Sequence, residues 1–148
     1  MAKSIYIAPT SQHSGLTSVS LGLVHALDEI GVRVGFFKPV THSSASNPDS
    51  SIHFAKILHD IPSPQAITLT QAQSLISRGK KGQLLEKVIQ NFYVAKQDYD
   101  LVIVEGIAPE VDEAYTQQLN ADIANCLDAE IILLSPVTID DITLNEEA

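Results

Sequence analysis

The ten residues Pro9-Thr10-Ser11-Gln12-His13-Ser14-Gly15-Leu16-Thr17-Ser18 are the part of this sequence best suited to hold a ligand. They follow a short β-branched run and open a helical pattern, which is where a phosphate-binding P-loop stands. In a working P-loop, backbone N–H groups and the helix N-terminus cradle phosphates. A lysine after the last glycine reaches the outer phosphates, and the next Ser or Thr holds magnesium. Gly15, Thr17 and Ser18 fit that template, and Thr10 and Ser14 add hydroxyls to the loop. Pro9 stands at the first glycine position and Leu16 at the lysine position. Losing that lysine removes a charge-assisted contact worth about 1.5–3 kcal/mol. The loop keeps a backbone that can hold an anion, although an ordinary helix-capping turn has the same residues.

Two further segments place charged groups at strand ends. Phe37-Lys38-Pro39-Val40 ends the second strand pattern, and Lys38 there can partly replace the missing cation. Tyr99-Asp100-Leu101-Val102-Ile103-Val104-Glu105-Gly106 is an apolar strand ending in a carboxylate, with a glycine that lets backbone approach closely. Such an acid commonly lies near a nucleotide's magnesium. In an open parallel sheet, ligands bind at the carboxyl ends of the strands. Gly15, Lys38, Glu105 and Gly106 are therefore expected at one edge. A solvated lysine and a strand-end acid are the plainer alternatives.

The five histidines, His13, His25, His42, His53 and His59, show no paired metal-ligand spacing, and each is expected at the surface. No Gly-x-Ser-x-Gly elbow and no Cys/His arrangement points to nucleophilic catalysis. The single Cys126 has no partner for an internal disulfide, which fits a reducing compartment.

Strand and helix patterns alternate around these residues. Ser4 to Ala8 reads as a strand, Pro9 to Gly15 as a loop, and the run from Thr17 to a stop at Gly31 as a helix. Val32 to Phe37 is again a strand, completing a right-handed βαβ unit. Thr41 to Ser51 reads as an exposed loop. Helices are expected from Ser50 to His59, from Thr70 to Arg78 with Thr70 as N-cap, and from Gln83 to Lys96. Leu101 to Val104 is the most apolar strand, Thr116 to Leu127 a helix, and Glu130 to Leu134 the last strand. The fold class expected is α/β, a three-layer open parallel sheet, P-loop NTPase-like, with helices on both faces. Residues 1–148 are expected to form one such domain, a fragment of a longer polypeptide.

With 45% hydrophobic and 18% charged residues, the chain has the composition of a folded globular protein. Its formal charge of −9 opposes non-specific binding to nucleic acid or anionic membranes. No apolar run approaches a membrane span, and no signal-peptide core fits between Met1 and Pro9. A cytoplasmic address is the expectation.

Gly15-Leu16-Thr17, Lys38-Pro39-Val40 and Val104-Glu105-Gly106, in that order, resemble the dethiobiotin synthetase-like branch of P-loop proteins. Within it, the run from Ser14 to Gly22, Gly31-Val32-Arg33 leading to Phe37-Lys38-Pro39, and Leu119 to Ile131 are similar to the N-terminal domain of long-form bacterial phosphate acetyltransferases. The resemblance covers nearly the whole chain and includes a leucine at the lysine position. It implies a regulatory, effector-binding domain. Acetyl transfer between coenzyme A and phosphate would belong to a C-terminal domain of the same polypeptide, in a homo-oligomeric enzyme. It also implies no required cofactor, with at most a weakly bound nucleotide or another anionic metabolite. An ATP-dependent ligase of the dethiobiotin synthetase type, against which Leu16 argues, and a structural oligomerisation module are the alternatives.

Overall fold

The computed structural model describes residues 2–42, 48–109 and 113–137. Its elements run β1 (Lys3–Pro9), α1 (Leu16–Glu29), β2 (Val34–Phe37), β3 (Val40–Thr41), α2 (Ser50–His59) and β4 (Ile67–Thr68). They continue with α3 (Leu69–Ser77), α4 (Lys81–Ala95), β5 (Leu101–Glu105), α5 (Glu113–Cys126) and β6 (Glu130–Leu134).

Four strands form a parallel sheet in the order β2-β5-β1-β6. The central pair, β1 and β5, is apolar along nearly its whole length because both faces are covered. On one face, Ile7, Phe36 and Ile103 pack with Val24 of α1 and Ala55 of α2. On the other, Tyr6, Ala8, Val102 and Val104 pack with Leu84, Val88 and Phe92 of α4 and Leu119 and Ile123 of α5. From β1 the chain crosses over β5 to β2 by way of α1; from β5 it crosses over β1 to β6 by way of α5. The two crossovers run in opposite directions along the sheet and use opposite faces. They therefore share one hand, as the right-twisted strand requires. The sheet is the three-layer arrangement expected.

Several boundaries differ from the sequence reading, each for a local reason. Val32 is not in β2, because its N–H is still bonded to Leu27 O at the end of α1. Thr68, not Thr70, caps α3. Its hydroxyl accepts from Gln71 N while the Gln71 side chain accepts from Thr68 N, a reciprocal capping box. The two-residue strands β3 and β4 pair with each other in parallel and were too short to show a period. His59 is not a surface residue. Its side chain is 9% exposed, and its ring lies 5.7 Å from that of His25.

Among the described residues, no helix is long and apolar enough to cross a membrane.

Candidate functional site

The loop after β1 ends in Gly15, which is the N-cap of α1 with φ 75° and ψ 26°. That left-handed conformation suits glycine and turns the chain directly into the helix. No side chain caps α1 and no acidic residue sits in its first turn. The N–H groups of Leu16, Thr17 and Ser18 thus have no intrahelical acceptor and carry the positive end of the helix dipole.

Beside this loop, the ends of β2 and β5 meet. Lys38 Nζ lies 2.8 Å from Glu105 Oε1 and 2.8 Å from Asp49 Oδ2. Lys38 is 9% exposed and Glu105 is fully buried. Ser51 donates its hydroxyl to Glu105 Oε1 at 2.7 Å, and Thr17 Oγ1 is 3.0 Å from Ser51 Oγ. Thr41 donates to Asp49 Oδ2 at 2.5 Å, while Asp49 Oδ1 caps α2 through the N–H groups of Ser51 and Ile52. One chain of polar contacts therefore ties the first turn of α1, the start of α2, and the ends of β2, β3 and β5.

Two carboxylates face one ammonium, so the cluster carries an excess negative charge. Burial works to lower the Lys38 pKa, but Glu105 and Asp49 outweigh it, and the net shift is upward. Burial works to raise that of Asp49, but the charge and hydrogen bond of Lys38 prevail and hold it below the usual carboxylate range.

A cavity of about 250 Å³ opens over this cluster. Ser14 to Ser18 form one wall, Lys38 and Glu105 the floor, and Gly106 to Ala108 the opposite wall. His42 Nε2 reaches Ala108 O at 3.2 Å across its rim. Two oxygens of lining residues are buried without a partner, Glu105 Oε2 and Ser14 Oγ. The far wall is held from behind by Asn120. Its Oδ1 accepts from Tyr6 Oη at 2.6 Å and Ile107 N at 2.8 Å, and its Nδ2 donates to Ile107 O at 2.9 Å.

Gly106 N–H donates to Ile7 O at 2.9 Å, and a Cβ at Gly106 would lie 2.6 Å from that same oxygen. A backbone atom in the sheet cannot move aside. Gly106→Ala is therefore expected to cost about 1–3 kcal/mol, by the scale of overpacked cores. Urea unfolding would read this as a lower midpoint at unchanged slope, and an unaltered midpoint would show that the wall yields freely.

Residues 3–147 match the family model described as AAA domain. The chain belongs to this AAA domain family. It is 39% identical over 134 residues to a phosphate acetyltransferase of Pseudomonas aeruginosa, covering 89% of this chain and 19% of that protein. The corresponding enzymes of Salmonella typhimurium and Escherichia coli are 34% and 31% identical, again over 90% of this chain and 19% of theirs. The chain thus spans about one fifth of the length of these relatives. A crystal structure of a DUF1611 family protein from Anabaena variabilis shares the fold, with a TM-score of 0.57 at 15% identity over 90% of this chain and 32% of that one.

In this AAA domain, Ser14, Gly15, Thr17, Ser18, Lys38, Glu105 and Gly106 line one cavity. Thr10 does not join them. Its N–H and hydroxyl both turn to Leu134 O, at 2.9 and 3.3 Å, which binds the loop to β6. Nor does Lys38 offer a free charge in place of the lost lysine, because Glu105 and Asp49 already take it. Thr17 and Glu105, which the P-loop template turns towards magnesium, are bonded to Ser51 and Lys38 instead. Among the described residues, no group of three His, Cys, Asp or Glu side chains could hold a metal ion. Sequence reasoning missed Asp49, Ser51 and Asn120. Asp49 and Ser51 had a legible signal, since Asp-Ser-Ser before a helical run is an N-cap pattern. Asn120 had none, as a polar residue on a helix is usually solvated.

Proposed function

We propose that this AAA domain is the non-catalytic, effector-binding part of a phosphate acetyltransferase polypeptide. It would be the segment through which metabolite anions regulate an enzyme of acetate metabolism in the cytoplasm. Acetyl transfer between coenzyme A and phosphate then belongs to the polypeptide outside this segment, and the enzyme works as a homo-oligomer. The observation that carries this reading is the cavity into which the uncapped first turn of α1 opens, floored by Lys38 and Glu105. Helix N–H groups without an acceptor, facing a cavity, favour an anionic occupant.

The chemistry of the walls narrows the ligand class. The N–H groups of α1 attract an anion, whereas the excess carboxylate at the floor repels a bare one. A small anion with its own hydroxyl, ammonium or bound cation satisfies both. No cofactor is required. A nucleotide binds weakly at most, since Leu16 replaces the phosphate lysine and Lys38 is committed to its carboxylates.

Two measurements test the division of labour. The 148-residue chain is expected to form no acetyl phosphate from acetyl-CoA and phosphate above a blank. Calorimetric titration with magnesium-ATP should give no affinity in the micromolar range. Acetyl-phosphate formation by this chain would overturn the first assignment, and micromolar magnesium-ATP binding the second.

A further inference from the structure

Two histidines stand at the mouth of the cavity, one beside each wall. His13 belongs to the loop after β1, next to Ser14, and His42 directly follows β3. His42 Nε2 lies 3.2 Å from Ala108 O in the opposite wall. A carbonyl oxygen only accepts, so Nε2 carries the proton of that hydrogen bond and further protonation falls on Nδ1. His13 is held in the left-handed region, with φ 57°, two positions before Gly15 at φ 75°. Both histidines are exposed, so a charge on either ring keeps its water.

We propose that His13 and His42 grip the effector in place of the lysine missing at position 16, and that the effector is a small dianion bearing a hydroxyl. The inference rests on the effector reading of this cavity and names its ligand class.

Charge selects both the residues and the ligand. Among the described residues lining the cavity, Lys38, His13 and His42 are those able to carry a positive charge. Lys38 is taken by Glu105 and Asp49, each at 2.8 Å, so the charge that answers a ligand comes from the histidines. The floor cluster, two carboxylates against one ammonium, is left with one negative charge. Two imidazolium rings supply two positive charges, and the α1 terminus about half of one more. The balance is roughly one and a half positive charges, which a dianion answers better than a monoanion does. A hydroxyl on the ligand then donates to the Glu105 carboxylate, which accepts.

This arrangement has a pH signature. Imidazole ordinarily takes up its proton between about pH 5 and 8, and a bound anion favours the charged ring. Binding therefore takes up protons, and affinity rises as pH falls. Of the other charged groups facing the cavity or bonded to its floor, Lys38 has its pKa raised and Asp49 has its pKa lowered, so both keep their charges across that range. Glu105 is paired with Lys38.

Tartrate is the probe, a hydroxydicarboxylate that keeps both charges between about pH 6 and 8, and lactate is its monoanionic counterpart. Amide shifts of residues 14–18 and 106–108 in the 148-residue chain should show tartrate affinity rising roughly tenfold or more from pH 8 to pH 6. Lactate should bind roughly tenfold more weakly than tartrate at the lower pH. The ring C–H signals of His13 and His42 should move towards their imidazolium positions as tartrate binds, while those of His53, exposed on α2, stay still. His13→Asn, which suits a left-handed backbone, combined with His42→Gln should remove the pH dependence and most of the affinity. Equal tartrate affinity at both pH values, ring signals that stay still, or a pH dependence kept by the double variant would overturn the proposal. Equal binding of lactate would overturn the dianion. If tartrate moves no amide at either pH, the proposal fails. Inorganic phosphate, a sugar phosphate or an amino-carboxylate that still moves them then leaves the effector reading standing, and a site that answers none of these takes that reading down as well.

Discussion

Lys38→Met is expected to destabilise the domain by about 3–5 kcal/mol at neutral pH, the scale on which removing one partner of a buried ion pair acts. The methionine keeps the length of the side chain but leaves Glu105 and Asp49 facing each other without a cation. Glu105 is fully buried in the native protein, with the Lys38 ammonium bonded to it. The pH dependence gives the prediction its sign. The Asp49 pKa is lowered in the folded state. Its contribution is therefore complete above its unfolded value of about 3.9 and is lost as pH falls through the depressed folded value. The Lys38 pKa is raised. That contribution is complete below an unfolded value of about 10.4 and is lost as pH rises through the folded one. The native protein should thus show a plateau between these limits and lose stability on the acid side. In Lys38→Met, protonation relieves the carboxylate repulsion, so the deficit should shrink as pH drops from about 7 towards 4. Urea unfolding at several pH values reads both effects. A deficit that stays constant across that range would show that packing, not charge, is the contribution of Lys38.

Asn120→Leu is the second large effect, at roughly 3–5 kcal/mol. Leucine fills nearly the same volume, so little cavity is created. What is lost is pairing, since the Tyr6 hydroxyl and the N–H and C=O of Ile107 are all left in the interior without partners. Burial already pushes the Tyr6 hydroxyl well above its ordinary pKa, so it cannot escape by ionising. A double-mutant cycle separates this from simple packing. Tyr6→Phe should be costly in the native background and nearly neutral, or favourable, beside Asn120→Leu. Additive costs would contradict the shared network.

The parallel sheet and its crossovers were legible because buried strands and amphipathic helices write different periods into the chain. The convergence of Gly15, Lys38 and Glu105 was legible for a related reason: parallel strands present all their carboxyl ends on one side. The charge state of the site was not legible. Nothing in Phe37-Lys38-Pro39-Val40 says that Asp49, eleven positions on, will return to claim the lysine. Asn120 was hidden for the same reason, since its partners lie on β1 and after β5 and no local pattern links them. The tie of Thr10 to Leu134 was not legible, because position in the loop alone points its hydroxyl at a ligand. A neighbouring strand, β6, competes for the same atoms.

The proposed effector site joins the first turn of α1 to the Glu105 floor. Ser18→Glu addresses it directly. Ser18 is exposed, lines the cavity and lies in the uncapped first turn of α1. A carboxylate there suits the helix dipole, so stability should hold or rise by about 0.3–1 kcal/mol. It also places a negative charge at the mouth of the site. Backbone amide shifts are to be followed by NMR while inorganic phosphate, small hydroxy- and amino-carboxylates and a sugar phosphate are titrated in turn. At least one of these should move the amides of residues 14–18 and 106–108 in the native protein, and leave them unmoved in Ser18→Glu. Amides that stay still under every one of these anions, or that move equally in the variant, would contradict the account.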